Sequence, residues 1–140
     1  MQSRPLPPQL EQPTAVMALP FDTSAPGVAR GIVTWSGQRH LLAERLEYAV
    51  LLTSELVSNS VMHGAPPLEL LVHAVPGQIT VAVIDHLNQT TLVEAGVPAV
   101  SDPHGRGLVI LSALADDWGL SPRNSLAKAV WFVLTDRVAA

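Results

Sequence analysis

The 140-residue sequence contains no cysteine. A disulfide framework and a thiolate metal site are both excluded, which fits a reducing, cytoplasmic setting. Charge is also scarce: only 14% of the residues are Asp, Glu, Lys or Arg, and the net charge is −4. The eight Lys and Arg residues are scattered rather than gathered into a patch, which argues against nucleic acid as the main ligand. No uninterrupted apolar run approaches the roughly 20 residues that span a bilayer, and the opening MQSRPLPPQLEQP lacks the apolar core of a signal peptide. There is no HExxH motif and no internal repeat. A soluble cytoplasmic protein is expected, without a membrane partner and without direct contact to nucleic acid.

Apolar residues are plentiful, at 48% of the chain. That excludes disorder over the whole length and suits one domain with a real core. Residues 1–13, rich in Pro and Gln, read as a flexible leader, and residues 14–137 as a single domain. Thr14–Leu19 is a first strand, and Ser24 caps a helix with Pro26 in its first turn that runs to Gly37. Helical spacing of apolar residues then predicts a second helix from about Leu41 to Met62, ended by Gly64 as C-cap and by Pro66-Pro67.

Leu68–Val75 and Gln78–Asp85 are strands joined by the turn signal Pro76-Gly77, hence an antiparallel hairpin. From His86 to Pro103 the periodicity disappears, as in a lid or binding loop. A third helix is expected over Leu108–Ala115, followed by strands at Asp117–Pro122 and Ala129–Thr135. This order implies an α+β fold, a two-layer sandwich with helices on one face of a mostly antiparallel mixed sheet.

Three features carry candidate chemistry. On LLTSELVSNSVMHG, Glu55, Asn59 and His63 recur at i, i+4 and i+8, within roughly 80° of one another on a helix that is otherwise apolar. Such groups are costly to desolvate without partners, so something polar should face them. Asp85 ends the apolar strand VAVID where the long loop begins, at the mouth of a prospective pocket. His104-Gly105-Arg106-Gly107 opens a helix, where glycines permit close backbone approach and free N–H groups favour phosphate. Asp85, His86 and His104 also offer a metal-hydrolase reading, which lacks a tight ligand motif.

Together, ELVSN-x-x-x-HG, VAVID and GRGL resemble the N, G1 and G2 boxes of the GHKL (Bergerat-fold) ATP-binding superfamily. The similarity is to its small anti-sigma-factor serine/threonine kinases and regulatory ATP-binding proteins of actinobacterial type, and it covers about residues 14–135. The tail ALADDWG followed by KAVWFVL also resembles that branch.

The resemblance implies ATP and Mg²⁺ as cofactors, Glu55 as general base, and Asn59 as the Mg²⁺ ligand. His63 would lie near the phosphates or the lid, and Asp85 would accept from the adenine amine. Gly105 and Gly107 would offer backbone amides to the phosphates, with Arg106 as a charge partner and residues 86–103 as the lid. A small antagonist (anti-anti-sigma) protein, a sigma factor and a second copy of the chain are the implied partners.

Two departures accompany the match. Leu87 stands where the family carries a small residue, and crowding of the adenine face there costs roughly 1–3 kcal/mol. Ala127 and Ala129 stand where a Gly and a Thr are common, and losing one hydrogen bond costs about 1 kcal/mol. The alternative expectation is therefore a degenerate, non-catalytic protein-binding module with weak or no ATP binding.

Overall fold

The computed structural model describes residues 4–86, 106–124 and 127–136. Among these, five strands, β1 (Ala15–Leu19), β2 (Leu68–Val75), β3 (Gln78–Asp85), β4 (Asp117–Asn124) and β5 (Ala127–Thr135), form one sheet in the order β1-β2-β3-β5-β4. Three helices, α1 (Ala25–Gly37), α2 (Ala43–His63) and α3 (Arg106–Leu114), complete an α+β fold. The pairings of neighbouring strands are all antiparallel, so the sheet described here is not the mixed sheet expected.

The central hairpin forms as its sequence dictates. In β2, buried residues alternate with half-buried ones, and Gly77 supplies the positive φ of 81° that the turn requires. Strand β3 is buried along nearly its whole length because it is flanked by β2 and β5 and covered on both faces.

Helices α1 and α2 pack on one face. Ala29 and Val33 of α1, with Leu52, Leu56 and Val57 of α2, meet Leu70, Val72, Val81, Val83, Phe132 and Leu134 from the sheet.

The opposite face of the sheet is covered by the segment expected to be a flexible leader. Leu10 is buried against Ala82 and Trp131, and Leu6 packs on Ile84, Ala127 and Ala129. Gln9 Nε2 donates to Thr80 Oγ1 at 3.0 Å. The Arg4 guanidinium donates to Asp117 Oδ1 at 2.6 Å and lies 4.9 Å from the centre of the Trp131 ring. Leu6 and Leu10, the second of them inside a short 3-10 turn (Pro8–Glu11), thus tie down a stretch whose composition is mostly polar.

One helix end differs from expectation and the other agrees with it. Ser24 is itself helical and makes no side-chain cap; its hydroxyl and its N–H both donate to Asp22. Gly64 is the C-cap of α2, as expected, its N–H donating to the Ser60 carbonyl at 2.8 Å, but its φ of −92° and ψ of −162° are an extended conformation open to any residue. The reason for glycine at that position lies in the site.

Candidate functional site

Helix α2 buries Ala49, Leu52, Thr53, Leu56, Val57 and Ser60, a stripe at helical spacing that faces the sheet and core. Glu55, Asn59 and His63 run along the margin of that stripe and are all half-buried. Asn59 Nδ2 and His63 Nε2 are shielded from solvent and have no hydrogen-bond partner among the described residues. A buried donor without a partner costs about 1–3 kcal/mol. These two lie one turn apart on the same line, and Ser36 Oγ, Thr53 Oγ1 and His73 Nδ1 are likewise buried without a partner among the described residues.

The strand-end carboxylate sits beside this helix. Asp85, only 1% exposed, accepts from Ser60 Oγ at 3.0 Å and from Lys128 Nζ at 2.9 Å, both on Oδ2. Lys128 is the direct cross-strand partner of Asp85 in the β3–β5 pairing. Gly64 closes the arrangement: a Cβ there would lie 2.7 Å from Asp85 Oδ2 and 2.7 Å from the Ser60 carbonyl oxygen. Only a residue without a side chain lets the end of α2 lie against the carboxylate. The chain is pinned next to it by the His86 N–H, which donates to the Ala65 carbonyl at 3.0 Å, and by His86 Nδ1, 2.7 Å from the Pro67 carbonyl.

The predicted residues therefore divide. Gly64, which follows α2, lies against Asp85 of β3, while Glu55, Asn59 and His63 share one line along the helix that ends there. Arg106 and Gly107 form the start of α3, which contacts α2. Leu87, His104 and Gly105 lie outside the described residues, as does the expected lid, 86–103, apart from His86.

Ala129 needs a correction. It was expected at the adenine surround, but it points to the other face of β5, where it packs with Ile84 and Ala127 beneath Leu6. Its missing hydroxyl is therefore not a loss to the site; the β5 side chain that meets Asp85 is Lys128.

Sequence reasoning missed Lys128 and Ser60. A lysine inside the apolar run AKAVWFVL was the available signal, since a buried ammonium needs a carboxylate nearby. Among the described residues no group of three or more His, Cys, Asp or Glu side chains could hold a metal ion. A groove of about 590 Å³ between α1 and α2, lined by residues such as Arg30, Leu46, Val50 and Leu51, includes none of the site residues. No helix among the described residues is long and apolar enough to cross a membrane.

No protein-family model matches the sequence, and no curated protein matches it.

Proposed function

We propose that the chain is an ATP-binding regulatory protein of GHKL (Bergerat-fold) type. Its activity in this reading is that of a serine/threonine kinase, transferring the ATP γ-phosphate to a small antagonist protein, with a sigma factor as a further partner. The observation that carries the reading is the pair of unpartnered buried atoms, Asn59 Nδ2 and His63 Nε2, on the same helix end that packs against Asp85. An α+β architecture with helices on one face of a five-stranded sheet supports the finer Bergerat assignment.

The donor set fits magnesium held jointly with a nucleotide rather than by the protein alone. Mg²⁺ keeps waters and takes few protein ligands, and Asn59 offers one amide, whose oxygen and nitrogen can exchange places by a flip. When bound, the ion supplies charge neutralisation for the transferring phosphoryl group.

The remaining chemistry belongs to the chain. Glu55 takes the proton from the acceptor hydroxyl as its oxygen bonds to the γ-phosphorus and the bond to ADP breaks, a role typically worth 10²–10⁴-fold as an order of magnitude. The N–H groups at the start of α3 receive phosphate oxygens. His63 Nε2 is a hydrogen-bond partner for the phosphate end. The carboxylate of Asp85 accepts from the exocyclic amine of adenine.

The test is phosphotransfer from Mg-ATP to the cognate antagonist by wild type and by Glu55→Ala. Wild type should label the antagonist, and the variant should lose at least a hundredfold in rate while still binding ATP. Absence of transfer by the wild type, with ATP bound and antagonist present, would sink the kinase reading.

One observation favours a second reading, a protein-binding module that takes ATP weakly or not at all. Asp85 is already engaged by Lys128 and Ser60 and is almost wholly buried. A calorimetric titration separates the two: saturable Mg-ATP binding in the micromolar range removes the support for the module.

A further inference from the structure

Lys128 is charged, 7% exposed and placed inside an apolar strand. An ammonium carries three N–H donors and no acceptor. One donor goes to Asp85 Oδ2 at 2.9 Å, and among the described residues Lys128 makes no other hydrogen bond. A nearly buried cation with donors to spare is costly unless an acceptor completes it. Both members of the pair are buried, Lys128 at 7% and Asp85 at 1% exposure.

The two side chains present an acceptor and a donor next to each other, fixed by the direct β3–β5 register of Asp85 and Lys128. A carboxylate has about four lone-pair sites, and the bonds from Ser60 and Lys128 both fall on Oδ2 of Asp85. The edge of adenine presents the complement: the exocyclic amine is a donor and ring N1, adjacent to it, is an acceptor.

We infer that Lys128 is a second base-recognition residue. Its ammonium donates to adenine N1 while Asp85 accepts from the amine, so that the buried pair reads both groups of the edge. The inference rests on the ATP-binding reading above and assigns that site a specificity residue. It also gives the buried ion pair a purpose beyond stability, which such pairs seldom supply by themselves.

The experiment is calorimetric titration of the full chain with Mg-ATP and with Mg-1-deaza-ATP, in which N1 is replaced by a carbon. Wild type should bind ATP roughly tenfold or more tightly than the deaza analogue, the loss expected for one hydrogen bond to a charged group. Lys128→Met should weaken ATP by a similar factor and leave the analogue unchanged, so that the discrimination disappears. Equal binding of both nucleotides by wild type, or discrimination retained by a folded Lys128→Met, overturns the assignment while leaving the ATP reading intact. If Lys128→Met does not fold, the wild-type comparison alone decides. Failure of wild type to bind either nucleotide overturns the ATP reading and this inference with it.

Discussion

Asn59 sets stability against the proposed function. Its amide nitrogen is buried without a partner among the described residues, so stability alone would favour an apolar side chain there. Asn59→Leu is expected to raise stability by about 1 kcal/mol, because an unsatisfied buried donor is removed and the volume is retained. The same variant should lose Mg-dependent nucleotide binding by tenfold or more. Chemical denaturation and a nucleotide titration on one preparation check both. A variant that is less stable and binds ATP as before would show that Asn59 is a structural residue. Trade-offs of this sign are typical where a site is kept at a cost to stability.

At the other side of the sheet, Asp117 reports on how the N-terminal segment is held. The hydrogen bond from Arg4 keeps its carboxyl below the ordinary value of 3.8, with burial opposing and the Arg4 charge reinforcing. A carboxylate depressed in the folded state stabilises above the unfolded value and loses that contribution as pH falls through the folded one. The pair is about half exposed, so solvent screens it and its contribution at neutral pH is small. Asp117→Asn should therefore be slightly less stable than wild type at pH 7, with the gap closing below about pH 4. A gap that persists or widens in acid would contradict the assignment.

Among the elements, α2 ties core to site, and its last residues show why glycine follows it. Gly64 reads in sequence as an ordinary helix stop, yet its backbone is extended and its necessity comes from the Asp85 carboxylate lying within 2.7 Å of where a Cβ would be. Gly64→Ala should destabilise by about 1–3 kcal/mol, since the Ser60 carbonyl is backbone and cannot swing aside. Nucleotide affinity should fall as well, because Asp85 is the group displaced. Unchanged melting temperature and affinity would mean that α2 and β3 have more room between them than the structure gives.

The same element shows what local pattern can carry. The spacing of Leu52, Leu56 and Val57 locates the buried stripe, and from it follows the margin where Glu55, Asn59 and His63 lie. The β2–β3 hairpin was legible for the same reason: alternation and a Pro-Gly turn are both local signals.

On the scale of the molecule, the illegible parts were those set by distant pairing. Strands β3 and β5 are neighbours in the sheet but far apart in sequence, so the register that joins Asp85 to Lys128 has no local signature. Without that register the face of Ala129 could not be assigned, and a missing hydroxyl was counted against the site. The N-terminal segment was misread because prolines and glutamines outnumber Leu6 and Leu10, although those two leucines suffice to cover Ala82, Ile84 and Trp131. Composition averages over a segment, whereas packing depends on which residues meet the sheet.

The molecule that results has one face of its sheet closed by its own N-terminal residues and the other carrying the helices and the site. The most direct test is an isothermal titration of the full chain with ATP, in magnesium and then in excess chelator. Saturable binding in the micromolar range that weakens at least tenfold without magnesium is the expected result. No saturable heat with magnesium present, up to millimolar ATP, would contradict the assignment of the Asn59, His63 and Asp85 cluster as a nucleotide site.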